Sequence, residues 1–205
     1  MKNKAALIIF TKNPVLGNVK TRLAKSVGDE KALEIYNFLL QKTINVTAKL
    51  DAQKTVYYGD YLNEDDGWDV KIYSKKIQQG TDLGERMHHA FEQTLKNSEK
   101  AVIIGCDCFE LTEEIIHEAF LNLEFHDAVI GPANDGGYYL LGLKVPMPGL
   151  FSNKNWGTNT VLKETLHNLK NQKVHLLEPL NDVDTLEDIQ QHPAFQHLLN
   201  TQYER

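Results

Sequence analysis

The segment Phe10-Thr11-Lys12-Asn13-Pro14-Val15-Leu16-Gly17-Asn18-Val19-Lys20-Thr21-Arg22-Leu23 places Lys12, Lys20 and Arg22 directly after an apolar run. That grouping suits the binding of phosphate. Backbone N–H groups of a loop and a helix start supply positive potential, and a guanidinium fork matches two phosphate oxygens. Pro14 and a flexible Gly17 let the chain turn between the cations. The same residues would also make an ordinary solvated loop. Their position favours a ligand, because open α/β sheets bind in the crevice beyond the carboxyl ends of their strands.

Carboxylates supply the counterpart. Asp107, in Val102-Ile103-Ile104-Gly105-Cys106-Asp107-Cys108, follows a glycine at the end of a second apolar run. It is suited to Mg2+ or Mn2+, hard ions that bridge diphosphate oxygens and neutralise charge as a phosphate departs. Capping the next helix is the other use for an Asp here, but Thr112 is better placed for that. Asn181-Asp182-Val183-Asp184-Thr185-Leu186-Glu187-Asp188 offers Asp182 and Asp184 as further metal ligands. Asp184 and Glu187 also have capping-box spacing, which predicts a last helix from Asp184.

Gly131-Pro132-Ala133-Asn134-Asp135-Gly136-Gly137-Tyr138-Tyr139 brings Asp135 to the tip of a turn. There it would serve as a general base or clamp an acceptor hydroxyl, with Gly136 and Gly137 admitting close approach to the backbone. Asp-Gly between two strands is equally a hairpin signal, and Tyr138 and Tyr139 read as half-buried sheet residues. Gln79-Gly80-Thr81, ahead of Asp82, could read a base through backbone groups. Trp156-Gly157-Thr158 flanks an acceptor pocket or only caps a helix. The adjacent His88 and His89 point apart on a helix and lack metal spacing.

The elements that must position these residues alternate along the chain. Strands are expected at Ala5 to Phe10, Lys54 to Gly59, Val70 to Ile77, Ala101 to Gly105, Asp127 to Gly131, Tyr138 to Leu143 and Val174 to Leu177. Helices are expected at Asp29 to Leu50, from a capping box at Asp82 and Glu85 to about Lys96, at Thr112 to Leu123, and from a Thr158 cap to about Leu169. The alternation gives a mostly parallel sheet with helices on both faces. The Tyr138 to Leu143 strand follows its predecessor too closely for a helical crossover, so it runs antiparallel in a mixed sheet.

The chain of 205 residues is long enough for one full core and reads as a single domain over residues 1–205. A formal charge of −6 argues against a nucleic-acid polymer as partner, although a nucleotide needs only local cations or a metal. No apolar run matches a membrane span, and the start Met1-Lys2-Asn3-Lys4 leads into too short a stretch for a signal peptide. A cytoplasmic protein is expected. Cys106 and Cys108, one residue apart, would face opposite sides of a strand and make neither a disulfide nor a zinc site.

Taken together, the motifs resemble a bacterial family of GT-A-fold nucleotide-diphospho-sugar transferase-like proteins. Its members are often described as glycosyltransferases of arsenosugar or radical-SAM gene neighbourhoods. The resemblance rests on Lys12-x-Pro14-x-x-Gly17-x-Val19-Lys20-Thr21-Arg22-Leu23, Gly80-x-Asp82-Leu83-Gly84-x-Arg86-Met87, Gly105-x-Asp107-Cys108, Gly131-Pro132-Ala133-x-Asp135-Gly136-Gly137-Tyr138 and Asp182-Val183-Asp184-Thr185. These occur in order from residue 5 to about 190. More distantly the pattern is similar to 2-phospho-L-lactate guanylyltransferase and the molybdenum-cofactor nucleotidyltransferases.

The resemblance implies a three-layer α/β/α Rossmann-like GT-A fold and a nucleotide bound across the first loop. It also implies that Asp107 is the metal-binding acid, with Asp182 and Asp184 as its partners. Phe109-Glu110 stand where the family commonly has Pro and Asp, which would free the backbone just past Asp107. The expected activity is metal-dependent glycosyl transfer from a nucleotide-activated sugar to a small-molecule acceptor, because the first loop lacks the denser glycines of sugar-phosphate nucleotidyltransferases. The rival is nucleotidyl transfer to a phosphorylated acceptor, which needs no base. A non-catalytic nucleotide-binding protein is the third reading, and oligomeric state is not readable from the chain.

Overall fold

The computed structural model describes residues 3–200. In chain order the elements are β1 (Ala6–Thr11), α1 (Thr21–Val27), α2 (Asp29–Thr47), β2 (Gln53–Tyr58), β3 (Tyr73–Ile77), α3 (Leu83–Leu95), β4 (Ala101–Ile104) and α4 (Glu113–Asn122). There follow β5 (Ala128–Pro132), β6 (Tyr138–Leu143), α5 (Val161–Asn168), β7 (Val174–Leu176) and α6 (Gln196–Leu199). They build a 7-stranded sheet in the order β3-β2-β1-β4-β6-β5-β7. Only β6 runs against its neighbours β4 and β5, as its short connection requires.

β1 and β4 are free of charged residues and lie side by side at the centre, where strands covered on both faces must be apolar throughout. Lys75 and Lys76 sit in edge strand β3, whose outer side has no strand to pair with. Leu7, Ile9, Val56, Ile104 and Leu140 pack on one face with Val46 of α2 and Ile116, Ala119 and Phe120 of α4. Ile8, Tyr57, Ile103 and Leu141 pack on the other with Met87, Ala90 and Phe91 of α3 and Leu162 and Leu166 of α5. The result is the mixed, mostly parallel three-layer arrangement expected from the alternation.

Strand order reverses between β1 and β4, since β2 and β3 follow on one side and β4 lies on the other. The loops leaving β1 and β4 therefore diverge, and such a reversal is where an open α/β sheet places its ligand crevice. Every motif singled out above except Trp156-Gly157-Thr158 leaves a strand, or enters β6, at that same crest.

Several boundaries differ from expectation. Thr21–Val27 is a helix of its own, ended by Gly28 at φ 84°, which also opens α2. β3 begins at Tyr73 rather than Val70, because the Asp69 carbonyl accepts both Ile72 N–H and Tyr73 N–H and makes a turn. Thr158 caps nothing: its hydroxyl donates to the Asn155 carbonyl, and α5 starts at Val161. Asp82 caps α3 through Glu85 N–H, but Glu85 reaches back to Thr81 instead of to Asp82. Cys106 and Cys108 lie beyond the end of β4, so the alternation of strand faces does not apply and both sit in the same core layer.

The largest difference is at Asp184, where no helix begins. The Asp188 carboxylate accepts from Asp184 N–H and Thr185 N–H and holds the segment as successive turns. A third apolar cluster ties those turns to the first loop: Leu23 of α1, Ile35 and Leu39 of α2, Val183, Ile189, Phe195 and Leu198. Phe109 joins it by stacking on Phe38 at 5.5 Å and meeting Phe195 at 4.9 Å. Among the described residues, no helix is long and apolar enough to cross a membrane.

Phe195 is fully buried in that cluster. Phe195→Ala should destabilise the chain by about 3–5 kcal/mol, measured by urea denaturation.

Candidate active site

The loop after β1 is shaped by Tyr36 of α2. Its hydroxyl accepts from Lys12 N–H at 3.0 Å and donates to the Lys12 carbonyl at 3.1 Å. Burial pushes this phenol far above its ordinary range, so it stays a neutral hydrogen-bonding group. Asn13 is buried and donates from Nδ2 to the Tyr61 carbonyl at 3.0 Å. The loop then passes exposed Gly17 at φ 77°, buries Val19, and reaches Lys20. Lys20 adopts the left-handed conformation, φ 48° and ψ 42°, just before α1. For a residue with a side chain that conformation costs on the order of 1–2 kcal/mol.

Its side chain explains what compensates. The Lys20 ammonium pairs with Asp107 Oδ1 and donates to the Val183 carbonyl at 2.5 Å. Arg22, two residues on, pairs with Asp184 Oδ2 at 2.8 Å. The cations of the first loop thus meet the carboxylates of the two other motifs across the crevice.

Those carboxylates are placed by backbone pairing. Cys108 and Asp182 form an antiparallel bridge, and Val183 N–H donates to the Asp107 carbonyl at 2.9 Å. Leu180 bridges to Ala133 of the β5–β6 connection. Residues 180–184 therefore run between the loop after β4 and the hairpin tip that carries Asp135. The backbone past Asp107 is not freed by Phe109-Glu110, contrary to expectation. Phe109 anchors in the third cluster, and the Glu110 carboxylate accepts from Asn181 N–H at 2.9 Å.

The electrostatic consequence is concentrated on Asp182. Its carboxyl is pushed from 3.8 up to about 7, first by burial and then by the charges of Asp107 and Asp135. Lys20 opposes the shift and Asp184 adds to it. Three acids from three separate loops thus act on Asp182. Burial likewise raises both thiols, Cys106 and Cys108, to about 12, so they are packing groups.

The hairpin tip joins this cluster to a second group of residues. Asp135 Oδ1 accepts from Gly137 N–H at 2.8 Å while the side chain remains exposed. Gly136 sits at φ 90°, and a Cβ there would meet the Asn159 carbonyl oxygen at 2.3 Å. The hairpin tip is thereby pressed against the segment holding Thr158. Trp156 packs on Gly84 at the start of α3, where a Cβ would lie 2.7 Å from its indole nitrogen. Tyr138 donates to Met87 Sδ of α3 at 3.8 Å. Gly80, at φ 139°, closes on the backbone of Glu85 and Arg86, which rules out any side chain there. Lys12 is exposed on the first loop. The structure thus gathers Lys20, Arg22, Asp107, Asp135, Asp182 and Asp184, and sets Gly80, Asp82, Tyr138, Trp156 and Thr158 along the flank formed by α3 and the residues before α5.

Sequence reasoning missed Tyr36, Glu110 and Asp188. Asp188 receives Asp184 N–H, Thr185 N–H, the Thr185 hydroxyl and, at 3.3 Å, Asn181 Nδ2, so it shapes the whole acidic turn. Its hydrogen bonds hold its carboxyl below the usual range despite the opposing effect of burial, which is the largest single influence on it. The signal was present as an Asp four residues after Asp184, but it was hidden by the competing capping-box pattern.

Among the described residues, no three His, Cys, Asp or Glu side chains are already arranged to hold a metal. The donor chemistry nonetheless fits a hard divalent cation. Asp107, Asp182 and the Val183 carbonyl are all oxygen donors, the chemistry a hard cation prefers.

Solved transferases share this fold. A crystal structure from Desulfovibrio desulfuricans G20, provisionally assigned as a nucleotide-diphospho-sugar transferase, has 30% identity and a TM-score of 0.84, covering 99% of this chain and 91% of that one. The chain belongs to the family described as "Uncharacterized protein conserved in bacteria (DUF2064)", whose profile matches residues 43–158. At the level of fold alone it is similar to Rv0371c of Mycobacterium tuberculosis H37Rv in complex with manganese, with 13% identity, a TM-score of 0.56, and coverage of 98% of this chain and 100% of that one. It is also similar in fold to 4-diphosphocytidyl-2C-methyl-D-erythritol synthase of Anaerococcus prevotii DSM 20548, with 13% identity, a TM-score of 0.57, and coverage of 95% and 99%. No curated protein matches it in sequence.

Between pH 3.8 and about 7 the folded chain holds a proton on Asp182 that the unfolded chain releases. That contribution to stability is fully present below the lower value and is lost as pH rises through the upper one. Asp182→Asn should therefore raise the melting temperature of the ligand-free chain at pH 8, with the gain shrinking toward pH 5, as read by calorimetry.

Proposed function

We propose that this protein is a metal-dependent transferase that moves a glycosyl group from a nucleotide-activated sugar to the hydroxyl of a small acceptor, with residues 1–205 acting as one such domain. The observation that carries this reading is the meeting of Lys20 and Arg22 with Asp107, Asp182 and Asp184 at the point where strand order reverses. A diphosphate needs cations and a metal-holding carboxylate side by side, and this crevice offers both.

In this reading Lys20, Arg22 and exposed Lys12 grip the donor phosphates. Asp107 and Asp182, with Asp184 in reach of Arg22, hold Mg2+ or Mn2+. That ion, when bound, offsets the charge that gathers on the nucleoside diphosphate as it departs. Asp135 takes the proton of the acceptor hydroxyl, whose oxygen bonds to the sugar carbon while the bond from that carbon to the phosphate oxygen breaks. The bonding pair leaves with the nucleoside diphosphate. Asp135 is suited to this because it is exposed at the hairpin tip yet close enough to raise Asp182. Trp156 and Tyr138 line the flank where the acceptor rests, and Gly80 and Asp82 border the base.

Incubation with Mn2+ and a panel of nucleotide sugars should release nucleoside diphosphate. Pyrophosphate released instead from a nucleoside triphosphate would establish nucleotidyl transfer. Asp135→Asn should lower kcat by about 10²–10⁴-fold with little change in donor KM if Asp135 is the base. Under nucleotidyl transfer the same variant should keep most of its activity, because a phosphorylated acceptor is already ionised.

A further inference from the structure

We propose that Lys20 is a built-in counter-cation: its ammonium fills the divalent-cation position in the ligand-free chain and gives it up most readily when metal and polyphosphate arrive together. This rests on the metal-dependent reading above and adds a rule for how the site loads.

The Lys20 side chain is only 5% exposed, while its partner Asp107 is 51% exposed. The ammonium is thus inside the crevice and the carboxylate reaches in to it. Its other contact is the Val183 carbonyl, an oxygen of the kind a hard cation uses. The backbone of Lys20 is held in a left-handed conformation that a side chain disfavours, so the placement is one the surrounding contacts must enforce.

The charges account for the coupling. A divalent cation entering alone must displace the ammonium from Asp107 and leave it without a partner in a poorly solvated crevice. When a polyphosphate enters with the cation, Asp107 passes to the metal and the ammonium passes to a phosphate oxygen. Each charge keeps an opposite partner. Metal and polyphosphate therefore strengthen one another's binding, and the effect is reciprocal by linkage. Removing the ammonium should uncouple them in opposite directions, tightening metal alone and weakening polyphosphate. A lysine that merely supported the fold would weaken both when removed.

The test uses Mn2+ alone, followed by electron paramagnetic resonance of free Mn2+, and inorganic pyrophosphate with Mn2+ present, followed by calorimetry. Lys20→Met keeps the length of the side chain, and Lys20→Gly suits the left-handed backbone, so the two guard against misfolding by either. Each should bind Mn2+ alone about tenfold or more tightly than the parent, since one like charge has left the site, and bind pyrophosphate about tenfold more weakly. Asp107→Asn should weaken Mn2+ in every background. Lys20 variants that bind Mn2+ no more tightly, while Asp107→Asn still weakens it, would overturn the exchange and leave the metal reading standing. Mn2+ binding indifferent to Asp107→Asn would overturn both.

Discussion

Like charges crowd at the crest of this sheet, and the fold depends on how they are compensated. Asp107, Asp135, Asp182 and Asp184 come from three loops, and pairing with Lys20 and Arg22 makes their proximity tolerable. Carboxylates brought together for structural support alone would be a poor solution, because burial and mutual repulsion both oppose their ionisation. Asp182 records that opposition in its displaced titration.

The scaffold serves that arrangement at several distances. The apolar strands β1 and β4 bring their loops together at the point of reversal. Bridges at Cys108 and Ala133 then zip residues 180–184 between two loops. The third cluster, with Phe109, Phe38 and Phe195, locks this acidic turn to the helices that follow the basic loop. Cation and anion motifs are thus tied to one apolar cluster although they are far apart in sequence. Phe109 anchors in that cluster and Glu110 fastens Asn181, so the segment past Asp107 is held on both sides.

What was legible in the chain was mostly local. The apolar runs, the Asp82 and Thr112 caps and the short step into β6 predicted the sheet, its helices and its one antiparallel strand. Asp107 was legible because it follows Gly105 at the end of such a run. The turn at Asp184 was not, because two local patterns competed there. Asp184 and Glu187 spell a helix start, while Asp188 and the long-range bond from Asn181 N–H to the Glu110 carboxylate, 71 residues apart, hold a turn. The Lys20 pair with Asp107 spans 87 residues, and no spacing rule reports it. Thr158 failed for a similar reason: the contact of Asn159 with Gly136, set by the hairpin across the crevice, governs that segment.

The central claim is that these loops jointly grip a metal and a diphosphate. A crystal structure of the chain with Mn2+ and a nucleoside diphosphate, phased to reveal the anomalous signal of manganese, tests it most directly. The account predicts a manganese peak bonded to the Asp107 carboxylate, with phosphate oxygens against Lys20 and Arg22. A manganese peak away from Asp107, or a nucleotide seated outside the crevice between β1 and β4, would contradict it.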